Sequence, residues 1–330
     1  MKIHKIFSIV VIVTAALFVF GCSTEASLQR MTGTSASSVM FYGCKTPAES
    51  EVNFYFSREV KVTSIYFDPP METEVLGEGE MVAIRFNPGP SGPPLPGGSV
   101  VSVDILVEDK NRNTLNVLIS FRTLNTRMPE LVINEIRTAY SKPRVEFVEI
   151  KTLSAGNLGA MRLFAAYEQE DPIFEFPPVE VKKGEYIVVH TRSIEPGIKD
   201  ETGTNLAASG GTDALTTARD FWIPGTLKLH DTNVIYLMDQ KDKILDGVLL
   251  VSGNYKWKDS MTGPAGEMAR QGAWPGSDTA DAFVSDGNTA TRTINRDESR
   301  QNSHSAGDWY VTVTSGATPG KANNPKRYVK

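Results

Sequence analysis

The chain has 330 residues, 40% of them hydrophobic and 22% charged, with 34 Lys and Arg against 39 Asp and Glu for a net charge of −5. This is an ordinary globular composition with room for about two domains at ~100–200 residues each. The acidic balance argues against sequence-independent capture of phosphate backbones, which depends on Lys and Arg neutralising charge.

The first residues, MKIHKIFSIVVIVTAALFVFGC, form a separate unit: Lys2 and Lys5, an apolar run from Ile6 to Phe20, then Gly21-Cys22. A short apolar run behind positive charges reads as an export signal, being short for a membrane span. Its ending, Val19-Phe20-Gly21-Cys22, resembles a bacterial lipobox. That resemblance implies a signal peptide over residues 1–21, lipidation of Cys22 and a lipid-anchored protein of the cell envelope. With Ser23 rather than Asp beside the cysteine, it favours the outer membrane. Removing residues 1–21 leaves 32 basic against 39 acidic residues, a net charge of −7, which further disfavours nucleic acid. It also leaves Cys44 without a partner for an intrachain disulfide, so it reads as a small apolar residue at a strand end.

Residues 22–37 are polar, small and aperiodic, the composition of a flexible tether. From 38 to 127 the signals are those of short strands. In EVNFYFSREV, Val52, Phe54 and Phe56 alternate with Glu51, Asn53 and Tyr55. MVAIRF, SVVSVDILVED and NVLISFRT continue the pattern, separated by NPGPSGPPLPGG and DKNRN. This spacing predicts a β-sandwich. The strand VNFYFSREV followed by LPGGSVVSVDILVEDKNRNTLNVLISFRT resembles the Ig-like modules of bacterial surface proteins.

After the linker NTRMPE a second body begins, assigned to 128–330, with strands at LVINEIR, RVEFVEIKT, AMRLFAAYE, EFPPVEVKKGEYIVVHT, GTLKLHDTNVIYLMD and KILDGVLLVS. An insertion from Ile194 to Pro224 holds a modest helical patch, TDALTTARDFW, and AGEMARQ reads as a short helix. The order INEI, VEFVEI, VEVKKGEYIVV, NVIYLMDQKDKILDGV and DWYVTVTSGATPGKAN resembles the lamin-tail domain. Its sharpest part is Trp309 followed by Thr318, Pro319, Gly320 and Asn323. The resemblance implies a compact Ig-like sandwich. The chain departs from the pattern where LGAMRLFAA replaces a Gly-Trp and LKLHDTN replaces a Ser/Asn-Gly-Asp. The expected fold is all-β: two Ig-like β-sandwiches in tandem after a lipoprotein signal peptide.

Candidate chemistry is sparse. Glu146 and Glu149 are three apart and point to opposite faces of a regular strand, sharing a face only across a bulge. Glu135 can oppose one of them across strands at ~5 Å, a spacing that suits a retaining glycosidase pair. No other feature supplies a substrate cleft, so these acids read as structural or solvated, with a cation site as the alternative ahead of acid–base catalysis. His190, His230 and His304 have no zinc-like spacing, and no Gly-x-Ser-x-Gly or phosphate-cradling loop is present. Asp278, Asp281 and Asp286, with Gly287 and Asn288, are calcium candidates outside any EF-hand spacing; no other metal or cofactor is expected. Phe221 and Trp222 offer a ligand-contact loop, or else plug the end of the sandwich, as Trp257, Trp274 and Trp309 would. The tail with Lys321, Lys326, Arg327 and Lys330 is a solvated terminus or a local anionic contact. The expected function is non-enzymatic: a membrane-anchored presentation of β-sandwich surfaces to a protein or glycan partner, or envelope assembly. The rival is a secreted hydrolase or nuclease, or an accessory domain of one.

Overall fold

The structure is a computed structural model that describes residues 38–87 and 95–330; the signal, Cys22 and the tether lie outside the described residues. The described chain is almost entirely β, with one α-helix. Strands before residue 123 pair only with one another, as do those after residue 130, and each set encloses its own apolar core.

The N-terminal set comprises β1 (Phe41–Ala48), β2 (Glu51–Asp68), β3 (Glu72–Val75), β4 (Gly79–Asn87), β5 (Val100–Asp109) and β6 (Thr114–Arg122). The order is β3-β4-β2-β5-β6, with β1 also on β2. The long β2 serves two groups of neighbours. Residues 51–55 pair with β1 and β4, and residues 60–68 pair with β5, with the register shift between Tyr55 and Val60 marking the change. Strict alternation puts Val52, Phe54 and Phe56 in the core with Val82, Ile84, Phe86, Val103 and Ile105. Cys44 lies within β1 opposite Phe54 rather than at a strand end. It is half-buried, and burial pushes its thiol up to about 11, which keeps it in the unreactive protonated form.

The C-terminal set comprises β7 (Leu131–Arg137), β8 (Phe147–Thr152), β9 (Gly156–Asn157), β10 (Arg162–Ala165), β11 (Phe174–Glu175), β12 (Glu180–Val181) and β13 (Tyr186–His190). It continues with β14 (Arg219–Trp222), β15 (Asn233–Met238), β16 (Ile244–Val251), α1 (Asp259–Arg270), β17 (Phe283–Val284), β18 (Ile294–Arg296) and β19 (Trp309–Val311). One sheet runs β14-β13-β8-β7-β18-β19 and a second runs β11-β10-β15-β16-β17. Between them sit Ile133, Ile136, Val148, Ile150, Leu163, Leu237 and Leu249.

Two helical expectations change. The patch at 212–222 is a run of turns followed by β14, which pairs parallel to β13. The AGEMARQ helix starts earlier, at Asp259, and runs through Pro264. Gly263, Pro264 and Gly266 are poor helix formers. Burial of Met261, Ala265 and Met268 in the core outweighs their cost.

The linker is tied down by both strand sets. Asn125 Nδ2 donates to the carbonyls of Asn157 (2.8 Å) and Gly159 (2.9 Å). Gln240 accepts from Asn125 N (3.0 Å) and donates to the carbonyls of Arg122 and Thr123. Gly98 sits at φ +83° with Gly159 packed against it so closely that a Cβ would lie 2.3 Å from the Gly159 carbonyl carbon. Arg122 and Glu175 form an ion pair across the same junction at 2.5 Å.

Candidate functional site

Glu135, Glu146 and Glu149 are the carboxylates that the sequence singles out. The bulge is on β7. Ile133 pairs with Ile150 and Ile136 with Val148, so Asn134 and Glu135 together oppose the single residue Glu149. Glu135 and Glu149 thereby share a face, the one turned away from the inter-sheet core. That face is covered by the insertion around 201–218 and the C-terminal segment around 318–323, and both acids are fully buried. The covering loop brings backbone N–H groups that need acceptors. Glu135 accepts from Thr293 Oγ1 (2.5 Å) and Thr318 N (3.1 Å), and Glu149 from Asn134 Nδ2 (2.9 Å) and Gly320 N (2.6 Å). Asn323 Nδ2 donates to the carbonyls of Asn134 (3.0 Å) and Arg296 (2.9 Å).

These bonds give the Thr318-Pro319-Gly320-x-x-Asn323 signature a physical meaning. Gly320 adopts φ +76°, and a Cβ there would meet Thr217 Oγ1 at 2.6 Å. The acid pair is a latch for the chain's last segment, sealed from any substrate. Burial pushes Glu135 up to about 6, and burial together with the neighbouring Glu135 charge raises Glu149 well above the usual range. Glu146 stands apart: it precedes β8 and accepts a bidentate pair from Arg192 at 2.9 and 2.7 Å.

The histidines are equally separate. His190 Nε2 lies 2.8 Å from Asp220 Oδ1, both buried, with Trp222 stacked on the ring at 3.8 Å. His304 Nδ1 is 3.5 Å from Asp246 Oδ1, an ion-pair contact that raises the histidine's proton affinity. Asp246 itself is fully buried, accepting from Ile133 N (2.7 Å) and Arg296 (2.6 Å), whose guanidinium lies over Trp309. Among the described residues no three His, Cys, Asp or Glu side chains group as a metal site requires. Of the calcium candidates, Asp278 accepts from Ala280 N within its own turn, Asp286 accepts from Gly253 N on the neighbouring loop, and the Asp281 carbonyl accepts from Trp274 Nε1.

Phe221 and Trp222 are not on a contact loop. They are β14 residues, Phe221 fully buried and Trp222 5% exposed, with Trp222 Nε1 donating to Ser209 Oγ. Parallel pairing with β13 and the cover of the insertion remove both rings from solvent. Trp274 and Trp309 are buried too, while Trp257 is partly exposed.

A different surface remains open. β7 leaves the linker at Leu131, and β15 ends at Met238 beside the linker-bound Gln240. The loops 138–146, 223–232, 252–258 and 285–293 therefore gather at the opposite, distal end. Asp231 knits them together, accepting from Thr138 Oγ1, Asn288 Nδ2 (2.8 Å) and Asn254 Nδ2 (3.4 Å). On this base cations lie against rings. Arg192 is 4.1 Å from the Tyr140 centroid, Lys228 is 5.2 Å from that of Tyr255, and Lys258 is 3.8 Å from that of Tyr167. His230 stacks on Tyr167 at 4.1 Å and meets Tyr255 edge-on at 4.8 Å, joining the Tyr167 and Tyr255 pairs, with the Arg192–Tyr140 pair on a neighbouring loop. Glu168 holds His230 (2.9 Å) and Lys258 (3.3 Å), and Lys228 donates to Tyr255 Oη at 3.0 Å. Burial and the adjacent Lys228 charge lower the proton affinity of His230. None of these residues except His230 stood out in sequence, although the ring-cation alternation Tyr255-Lys256-Trp257-Lys258 is a local signal for them.

Residues 129–311, more than half of the chain, match the family model TP_1001_2nd, described as protein second domain. The chain belongs to this family. The TP_1001 second-domain match begins just before β7 and ends with β19, so it spans the sheets and the distal loops and stops short of the latched segment. An uncharacterized protein of Treponema pallidum (strain Nichols) is 30% identical over 173 residues, covering 48% of this chain and 43% of that relative's length. A crystal structure of a DUF4876 family protein from Bacteroides thetaiotaomicron VPI-5482 aligns over 78% of this chain and 88% of its own. It does so at 14% identity and a TM-score of 0.28, a likeness that carries no argument.

Proposed function

We propose that this is a lipid-anchored envelope protein, held by Cys22 in the outer membrane, whose two strand sets act as one stiff non-catalytic support. The distal loops of its lamin-tail-like second body are then the contact surface for a protein or glycan partner. The observation that carries the reading is the direction of the chain. β1 runs from Phe41 to Ala48, and the next residue, Glu49, meets Thr126 in the linker. Residue 38 therefore enters at one extreme of the molecule and the loops knitted by Asp231 occupy the other. Recognition loops on a rigid scaffold suit that layout. An enzymatic role would need an open set of titratable groups, whereas Glu135, Glu149, His190 and Asp220 are buried and engaged.

The anchor is tested by metabolic labelling with an alkyne-bearing fatty acid, followed by fractionation. The native chain should incorporate label and sediment with membranes, and Cys22→Ser should lose the label and appear in the soluble fraction. An unlabelled native chain, or a Cys22→Ser protein still bound to membrane, would remove the anchor from the proposal.

A further inference from the structure

We propose that the distal face built on Tyr140, Arg192, Lys228, Tyr255 and Lys258 binds an acidic polysaccharide, one carrying carboxylate or sulfate groups on its sugar rings. This rests on the distal end being the contact surface and names the chemistry that surface would take.

Charge is the first argument. The protein carries −5 overall, yet Lys142, Arg144, Lys228 and Lys256 stand exposed on the distal loops without an ion-pair partner within 4.0 Å among the described residues. Of the acids among them, Glu146 pairs with Arg192 and Glu168 with His230 and Lys258, while Asp231 and Asp286 accept from neutral donors and keep their charge, two carboxylates against those four cations. Preorganisation is the second. A cation whose stem or head rests on a tyrosine ring has already lost part of its rotamer freedom, so little more is lost when an anion docks. Arg192 and Lys258 are held this way with Glu146 and Glu168 as their counter-ions, and Lys228, held by the Tyr255 hydroxyl, is the preorganised cation that meets the ligand's acid group.

Ligand shape is the third. Tyr140 is 40% exposed, and Tyr255 and Trp257 are partly exposed. Such rings offer apolar faces to the C–H face of a sugar while adjacent cations meet its acid group. An extended acidic peptide would use a free strand edge or an apolar pocket, and at this end the chain presents turns and loops. Duplex nucleic acid carries about one charge per 1.7 Å, a density that four dispersed cations on an acidic protein do not match. A polymer bearing one acid per sugar or per disaccharide has sparser charge and fits that spacing better.

The test is titration calorimetry of the full lipidated chain in detergent against four probes: a galacturonate hexasaccharide, a sulfated heparin hexasaccharide, neutral chitohexaose and hexaglutamate. At least one acidic sugar should bind, with chitohexaose and hexaglutamate weaker by about tenfold or more, the scale of one lost charged contact. Lys228→Ala should weaken the acidic sugar by about fivefold or more with an unchanged melting temperature, Tyr255→Ala should weaken it at least as much while also lowering the melting temperature, and Lys228→Arg should retain binding. Lys61→Ala, on the N-terminal strand set, should have no effect. Equal binding of chitohexaose or hexaglutamate overturns the proposal, as does acidic-sugar binding indifferent to Lys228 and Tyr255. Failure of both acidic sugars overturns it too, while the wider contact-surface reading is judged separately by lysine protection in cells.

Discussion

Asp246→Ala should destabilise the C-terminal strand set by about 3–5 kcal/mol, the cost of leaving a buried charge without its partner. Asp246 is fully buried on β16, and its Oδ2 takes both the Ile133 backbone N–H and the Arg296 guanidinium. Removing it strands Arg296, itself 4% exposed, together with a strand N–H that no water reaches. On the scale of 2–4 °C per kcal/mol for large domains, the melting temperature followed by circular dichroism should fall by roughly 10 °C. Adding Arg296→Met to Asp246→Ala should recover part of the loss, because the unpaired cation is then gone. A single-variant loss below about 1 kcal/mol would mean that water or a rearranged loop satisfies Arg296 instead.

The second large effect is a dependence on pH. Burial raises Glu135 to about 6, and burial with the neighbouring Glu135 carboxylate raises Glu149 well above its usual range. A carboxyl raised on folding contributes stability that is fully present below its unfolded value and is lost as pH rises through the folded one. For Glu135 the window runs from 4.5 to about 6, worth roughly 2 kcal/mol at 1.36 kcal/mol per unit. Glu149 extends the decline to higher pH. Other groups add to the raw profile. Asp200, Glu201 and His304 are raised and act in the same direction, while Asp109, Asp297 and the lowered His230 act in the opposite one. The informative quantity is therefore the difference between the native chain and Glu135→Gln. That variant should gain stability relative to the native chain as pH rises from 5 to 7, because its carboxamide has no buried charge to form and sets none beside Glu149. A difference that stays flat across this range would show that folding does not raise Glu135.

Much of the scaffold was legible because alternation is a local property. Val52, Phe54 and Phe56, or Val103, Ile105 and Val107, declare an inward face without knowledge of the partner strand. The latch was not legible. Glu135 and Glu149 read as strand trim because their cover comes from residues some 170 to 180 positions later, and a bulge at Asn134 and Glu135 leaves no mark in composition. For Trp222 the sequence offers both a contact loop and a plug, because its Gly-rich, Pro-flanked context signals a loop; that loop folds back over the sheet and buries the ring. Helix α1 was read short because Gly263 and Pro264 are breakers in isolation, and only the buried Met261 shows that the core outweighs them. The distal face escaped for the plainest reason. Tyr140, Arg192, Lys228 and Tyr255 are scattered over more than a hundred residues and meet only at the end of the sandwich.

The most direct measurement is acetylation footprinting of lysines in intact cells beside the purified full chain, read by mass spectrometry. If the distal loops are the surface the protein works with, Lys142, Lys228 and Lys256 should react in the purified chain and be protected in cells. Lys61 on β2 and Lys110 in the turn after β5 should react alike in both. Distal lysines as reactive in cells as in solution, or protection confined to the N-terminal strands, would contradict a distal contact surface and move the search for the partner to the other end of the molecule.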